Sequence, residues 1–233
     1  MMKSFEIPVV GYSVEADWYE GSNPEKVLLS LIGWTSAKAK YRKMLPQIVE
    51  ETGMSVLTFD YSGHGDESKV DVQETRPAQH FLEVICVFDQ LREQHPAAEI
   101  CVMGTSYGGF LATQLTKYRK FEKLVLRVPA IYRPEDFYTQ AKKRDQQRSD
   151  AYRHDKAALS ESPLLARAQM PTGKSLVVVH GEDELIPAAT TDAYILALQA
   201  DVIVAEGFRH SFDGISEEAK RQYITRLSDW LKK

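Results

Sequence analysis

The sequence predicts an α/β fold in which a mostly parallel, twisted β-sheet carries helices on both faces. Short, continuous apolar runs that are typical of strands covered on both faces recur along the chain, as at 27–32. Amphipathic stretches with helical spacing separate most of these runs. Strands that alternate with helices in this way form a mostly parallel sheet, whose ligands bind at the carboxyl ends of the strands.

The first elements follow from simple periodicities. Alternating apolar residues over 5–9 and 12–18 predict two half-buried strands that form an antiparallel start. The run at 27–32 predicts a central strand. Helical spacing over 41–49 predicts a helix, and Pro46 either kinks this helix or marks its true start.

The remaining elements follow from the same two patterns. Predicted strands cover 56–59, 100–102, 124–128, 176–179 and 202–204, and predicted helices follow Pro77, cover 110–115, follow Pro187 and cover 223–231. We therefore expect one α/β domain over residues 1–233. The alternation of predicted strands and helices is interrupted between about 130 and 172. This charged, tyrosine-rich stretch is far longer than an ordinary connection between elements. We interpret it as a small helical cap over the pocket; a solvated excursion without substrate contact is the alternative.

Composition excludes several classes of function. The chain has 233 residues, with 29 basic and 33 acidic side chains, so it lacks the basic surface expected of a protein that binds nucleic acid or an anionic membrane. No apolar run approaches the roughly 18 residues of a membrane span. We expect a cytoplasmic protein. No Cys/His cluster has the spacing of a structural zinc site.

The segment around Ser106 has the pattern Gly-x-Ser-x-Gly, with Gly104 and Gly108 on either side. It lies between a predicted strand and a predicted helix, which is the context of a nucleophile elbow. Glycines allow the tight turn because they have no Cβ atom, and the serine takes a strained conformation that exposes its hydroxyl group. Ser106 is therefore the candidate nucleophile.

A candidate acid and a candidate base follow Ser106 along the chain. The acid lies in 180–187, after one predicted strand, and His210 follows the last. In this order and context, the chain resembles an α/β-hydrolase over nearly its whole length. The segment Asp60-Tyr61-Ser62-Gly63-His64-Gly65 is similar to the Asp-x-x-Gly-x-Gly segment of one branch of this superfamily. That branch holds cinnamoyl esterases, monoacylglycerol lipases and serine-aminopeptidase-like hydrolases.

The resemblance implies a Ser106–acid–His210 triad, but it leaves two choices for the acid. Asp183 has the family's spacing to Pro187, whereas Glu184 has the family's spacing to Gly181. We favour Asp183 because Pro187 begins a helix and the position of the acid should follow the helix start. Glu184 remains the alternative.

An oxyanion hole is the second requirement of this chemistry, and the resemblance implies two backbone donors. One is the N–H of Tyr107, which follows the nucleophile, and the other comes from the loop after Ile32. The family commonly has His-Gly before the second donor. This chain has Ile32-Gly33, so by position Trp34 is the donor.

These assignments imply a serine hydrolase that cleaves a carboxylic ester or thioester of small to medium acyl groups through an acyl-enzyme, with no metal or organic cofactor. Its partner is a small-molecule substrate; oligomeric state is not predicted. An acyltransferase or an aminopeptidase would use the same triad, and a non-catalytic binding protein could retain the scaffold. We interpret His180 as a structural hydrogen-bonding residue and His64 as a packing residue. The remaining histidines are interpreted as surface or helix-face residues: His80, His95 and His154.

Overall fold

The structure is a computed structural model that describes residues 2–66, 68–166, 168 and 174–233. These residues form one eight-stranded sheet with the order β1-β2-β4-β3-β5-β6-β7-β8. The strands are β1 (Met2–Pro8), β2 (Ser13–Tyr19), β3 (Asn23–Leu31), β4 (Met54–Phe59), β5 (Glu99–Thr105), β6 (Lys123–Arg127), β7 (Ser175–His180) and β8 (Asp201–Ala205). The predicted fold class is confirmed.

Strand direction divides the sheet into two parts. β1 pairs with β2, and β2 pairs with β4, in antiparallel register. From β4 onward every neighbouring pair is parallel. The predicted antiparallel start is thus confirmed. All strands from β3 to β8 end at the same edge of the sheet, where the connections can bring side chains together.

The helices that cover the sheet are α1 (Met44–Thr52), α2 (Pro77–Gln94), α3 (Tyr107–Leu115), α7 (Ala188–Leu198) and α8 (Glu217–Lys232). Between β6 and β7 lie the shorter helices α4 (Gln146–His154), α5 (Lys156–Ser160) and α6 (Pro163–Ala166). Helix α1 begins two residues before Pro46, which therefore lies in the first turn, where a missing N–H is tolerated. None of the helices in the described ranges combines the length and the apolarity that crossing a bilayer requires.

The core lies on both faces of the central strands. Every residue of β4 is buried, and so are the last five residues of β3, as their continuous apolar pattern predicts. The segment between β6 and β7 contains α4, α5, α6 and two short 3₁₀ turns, Pro134–Tyr138 and Ala141–Lys143. Part of the predicted cap, at 167 and 169–172, lies outside the described residues.

Candidate active site

The elbow at Ser106 is a sharp strand-to-helix corner. Ser106 follows β5 and precedes α3. Its backbone has φ 51° and ψ −113°, a conformation that residues other than glycine rarely adopt. Such a conformation costs on the order of 1–3 kcal/mol and persists only where the surroundings hold it. The strain predicted for this residue is therefore present in the structure.

Close backbone contacts explain both glycines of the motif. A Cβ atom on Gly104 would lie 2.3 Å from the carbonyl oxygen of Gly108, and one on Gly108 would lie 2.3 Å from that of Leu31. Real Cβ atoms do not approach this closely, so any larger residue would force the strand and the helix apart. The glycines let α3 pack directly against β3 and β5.

Hydrogen bonds from the next strand hold the strained residue in place. The Ser106 N–H donates to the carbonyl oxygen of Arg127 at 2.9 Å, and the Ser106 carbonyl accepts from the N–H groups of Gly109 at 2.9 Å and Ala130 at 3.0 Å. The elbow is thus fixed by β6 and the residues after it as well as by its own helix.

Asp183 and His210 are in direct contact. The His210 Nδ1 lies 2.8 Å from Asp183 Oδ2 and 3.0 Å from Oδ1, so the N–H at Nδ1 donates to the carboxylate and leaves Nε2 as an acceptor. Asp183 Oδ1 also accepts the backbone N–H groups of Leu185 and Ile186, both at 2.9 Å. Burial raises the pKa of Asp183, but the hydrogen bonds from His210 and Ile186 outweigh it, so its pKa lies below the ordinary value.

Glu184, the alternative acid, has a different environment. Its carboxylate accepts the backbone N–H of His210 at 3.2 Å and lies 3.6 Å from the guanidinium group of Arg209. Its side chain is 43% exposed, whereas that of Asp183 is 5% exposed. Glu184 therefore contacts the backbone of the His210 loop, and Asp183 contacts the imidazole.

The position of Ser106 relative to His210 is set by the sheet. β5, β6, β7 and β8 are neighbours in parallel register, so the segments after them share one edge. The structure describes both Ser106 and His210, and no hydrogen bond joins the Ser106 Oγ to the His210 imidazole. In enzymes, a hydrogen bond between a nucleophile and its base is often long or poorly aligned until substrate binds.

A relay of hydrogen bonds connects the elbow with the His210 loop. The buried Arg127 donates from Nη1 to Thr105 Oγ1 at 3.2 Å and from Nε to the Tyr223 hydroxyl oxygen at 2.7 Å. That hydroxyl donates to His180 Nε2 at 3.2 Å, and His180 Nδ1 donates to the Arg209 carbonyl at 2.6 Å. We call this the Arg127–His180 relay, and it fixes the peptide group immediately before His210.

The backbone N–H groups of Trp34 and Tyr107 are among those near Ser106 that have no acceptor within the described residues. Tyr107 is the first residue of α3, where helix geometry leaves N–H groups free. Trp34 lies in the turn after β3, and Thr35 beside it has φ 55°, a second strained position. Free, fixed N–H groups are what stabilisation of an oxyanion requires.

The side chains of these two residues belong to one buried cluster. Trp34 packs edge-on against Tyr107, with ring centroids 5.2 Å apart. The Tyr107 hydroxyl donates to His80 Nδ1 at 2.8 Å, and His80 Nε2 donates to the carbonyl oxygen of Ser62 at 2.9 Å. The segment at 60–65 thus supports the elbow through His80.

Comparison with known proteins identifies the family. Residues 22–153, more than half of the chain, match the model described as Hydrolase_4, serine aminopeptidase, S33. The chain belongs to this family. It is therefore a hydrolase of the α/β-hydrolase superfamily, as the resemblance in its sequence implied. No curated protein sequence matches the chain significantly.

Solved structures share the fold of this S33-family hydrolase at low sequence identity. A predicted CIB-like hydrolase from Thermoplasma acidophilum is 16% identical, with a TM-score of 0.70, and the match covers 100% of this chain and 98% of that one. A Pyrococcus furiosus esterase is 17% identical, with a TM-score of 0.70 and coverage of 100% and 92%. A Pyrobaculum calidifontis esterase is 17% identical, with a TM-score of 0.71 and coverage of 100% and 85%.

Three residues at the site of this S33-family hydrolase escaped the sequence analysis. Arg127 is a buried charged residue that directly follows the apolar run Leu124–Leu126, and that mismatch is the signal that could have found it. Tyr223 looks like an ordinary apolar position of α8. His80, predicted as a surface or helix-face residue, is on a helix face but is fully buried. Across the described residues, no group of three or more His, Cys, Asp or Glu could hold a metal ion.

The buried His80 should make stability depend on pH. Burial lowers its pKa from the ordinary 6.5 to about 3, so below pH 6.5 the unfolded chain binds a proton that the folded chain does not. The stability contributed by neutral His80 is complete above pH 6.5 and is lost, at about 1.4 kcal/mol per pH unit, as the pH falls towards 3. Between pH 6.5 and 4.5, we expect the unfolding free energy of His80→Gln to fall less steeply with decreasing pH than that of the wild type.

Urea titrations of both proteins at several pH values in this window would measure the two slopes. Taking the difference between wild type and variant removes the contribution of the carboxyl groups, which titrate in both. Parallel curves would show that His80 does not carry the acid sensitivity.

Proposed function

We propose that this hydrolase is a serine esterase or thioesterase that forms an acyl-enzyme on Ser106, with His210 as the base and Asp183 as the orienting acid. The observation that carries the proposal is the partly buried hydrogen bond from His210 Nδ1 to Asp183, at the sheet edge that also holds the strained Ser106. A carboxylate in this position fixes the tautomer in which Nε2 accepts a proton.

The reaction has two halves. As Ser106 Oγ bonds to the acyl carbon, His210 Nε2 takes the hydroxyl proton; the bond to the leaving alcohol or thiol then breaks, and His210 returns the proton to it. Water repeats the sequence and releases the acid. The N–H groups of Trp34 and Tyr107 are the proposed donors to the oxyanion, each worth roughly 2.7–4 kcal/mol of barrier.

The cap also bears on the substrate. We propose that 130–172 belongs to the single hydrolase domain and covers the site, and that its modest size favours small to medium acyl groups.

An aminopeptidase is the second candidate, because the family model carries that description. Aminopeptidase substrates have an α-ammonium group, however, and the nearby cap presents the guanidinium groups of Arg144 and Arg153 beside Tyr132, which disfavours a cation.

Fluorophosphonate labelling and a substrate panel test the proposal. The panel comprises p-nitrophenyl esters of increasing chain length, an acyl-CoA, a feruloyl ester and an aminoacyl anilide. We expect the wild type to be labelled and to cleave short p-nitrophenyl esters faster than the anilide. Preferential cleavage of the anilide would favour the aminopeptidase, and an unlabelled, inactive wild type would indicate a non-catalytic binding protein.

A further inference from the structure

Arg144 lies in the cap, and its guanidinium group stacks on the side chain of Trp34, one of the two residues proposed as oxyanion donors. It follows the 3₁₀ turn Ala141–Lys143, and its guanidinium carbon lies 4.7 Å from the centre of the Trp34 ring and 5.3 Å from that of Tyr132. Both rings pack edge-on against Tyr107, the residue after the nucleophile. The cation therefore stacks on two rings that both contact the residue after the nucleophile.

Two of the hydrogen-bonding groups of Arg144 have no partner, although its guanidinium group also contacts the Tyr132 hydroxyl group. Its Nε and Nη2 are shielded from solvent without any hydrogen-bond partner, and the guanidinium forms no ion pair with the carboxylates of the described residues. Stacking on aromatic rings is favourable for a guanidinium group, but it does not satisfy N–H donors in the plane of the group. Shielded donors without partners destabilise a protein, so their presence calls for an explanation.

Other arginines of the cap all have partners. Arg133 forms a two-pronged hydrogen bond to Asp136, at 2.8 Å and 3.0 Å. Arg153 donates to the Ile131 carbonyl oxygen at 3.3 Å, and Arg148 lies 3.9 Å from Glu135. Of these four cap arginines, Arg144 is the one whose guanidinium group has no carboxylate or backbone carbonyl partner among the described residues.

A carboxylate is the ligand that this group fits best. A guanidinium group offers parallel N–H donors that match the two oxygens of a carboxylate, and such charged pairs are stronger than neutral hydrogen bonds. We propose that Arg144 binds a carboxylate on the substrate, so that the enzyme prefers esters whose acyl or alcohol part carries a negative charge. This inference rests on the proposed function. Because Nε and Nη2 are shielded, binding requires the Arg144 side chain to shift relative to the Trp34 ring.

Matched pairs of esters test the inference. Butyl hydrogen glutarate, as its anion, is compared with butyl glutaramate, which replaces the carboxylate by a neutral carboxamide of similar shape. Butyryloxyacetate is compared with butyryloxyacetamide, which moves the charge to the alcohol part. The released alcohol or acid is measured by chromatography, and kcat/KM is determined for each compound.

We expect the wild type to prefer the charged member of at least one pair by roughly 10- to 100-fold. In Arg144→Gln this preference should fall close to unity. The matched control is Arg148→Gln, which removes the same charge from an exposed cap position and should keep the wild-type preference. Arg144→Lys, which keeps the charge without the planar fork, should have an intermediate preference and serves if Arg144→Gln does not fold.

Failure of the inference can be told from failure of the proposed function. A wild type that is labelled by the fluorophosphonate and cleaves the neutral esters equally well, or an Arg144→Gln variant with an undiminished preference, would overturn the role of Arg144 alone. A wild type that is neither labelled nor active on any of the four compounds would overturn the esterase itself.

Discussion

Replacing Ser106 by alanine is expected to lower kcat on a short p-nitrophenyl ester by roughly 10⁶-fold and to abolish fluorophosphonate labelling. The remaining triad has no nucleophile to activate, so only the binding and oxyanion contributions to catalysis persist. Alanine inherits the same strained backbone and loses only a half-buried hydroxyl, so the free energy of unfolding should change by less than about 1 kcal/mol. Steady-state kinetics, labelling and urea unfolding measure these three quantities.

Ser160→Ala is a suitable control for the serine chemistry. The Ser160 hydroxyl is exposed and donates to the carbonyl oxygen of Ala157 within α5, remote from the elbow in the chain. This variant should keep both labelling and activity. Retention of the label in Ser106→Ala would mean that another nucleophile reacts, and the proposed mechanism would then be wrong.

Replacing Asp183 by asparagine should have the second largest effect, a loss in kcat of about 10⁴-fold. The asparagine amide can present N–H groups to His210 Nδ1, which favours the tautomer with a proton on Nε2. That tautomer cannot accept the proton of Ser106. The measurement is kcat on the same ester, together with the rate of labelling.

Glu184→Gln provides the matched comparison for Asp183→Asn. Its side chain is exposed and contacts the backbone N–H of His210, which an amide oxygen can also accept. We expect a loss of less than about tenfold. A larger loss in Glu184→Gln than in Asp183→Asn would transfer the role of the acid to Glu184.

Much of the fold could be predicted because the sheet repeats one local pattern. Continuous apolar runs such as 27–32 indicate burial on both faces, and Gly104 and Gly108 mark the elbow, where a Cβ atom would clash with the backbone. The effect of Pro46 was harder to predict, because a proline is compatible with either a kink or a first helical turn. In the structure α1 begins at Met44, so Pro46 lies in the first helical turn.

The site was less accessible to sequence reasoning wherever it depends on long-range contacts. Spacing left Asp183 and Glu184 as competing acids, since the two spacings disagree by one residue. Burial of His80 follows from where α2 lies against the elbow, which periodicity does not report. Arg144 gives no signal at all in the sequence, because its environment is created by Trp34, more than a hundred positions earlier.

The Arg127–His180 relay has a fixed polarity, since each group in it donates towards the Arg209 carbonyl. This order exists only while His180 is neutral, and its burial, together with the charge of Arg127, lowers its pKa to about 4. Protonation would turn Nε2 from acceptor into donor, and the Tyr223 oxygen would then face cations on two sides. Acid would therefore weaken the hydrogen bonds that hold the His210 loop, at a point remote from the nucleophile. Because Tyr223 belongs to α8, the C-terminal helix would also be affected.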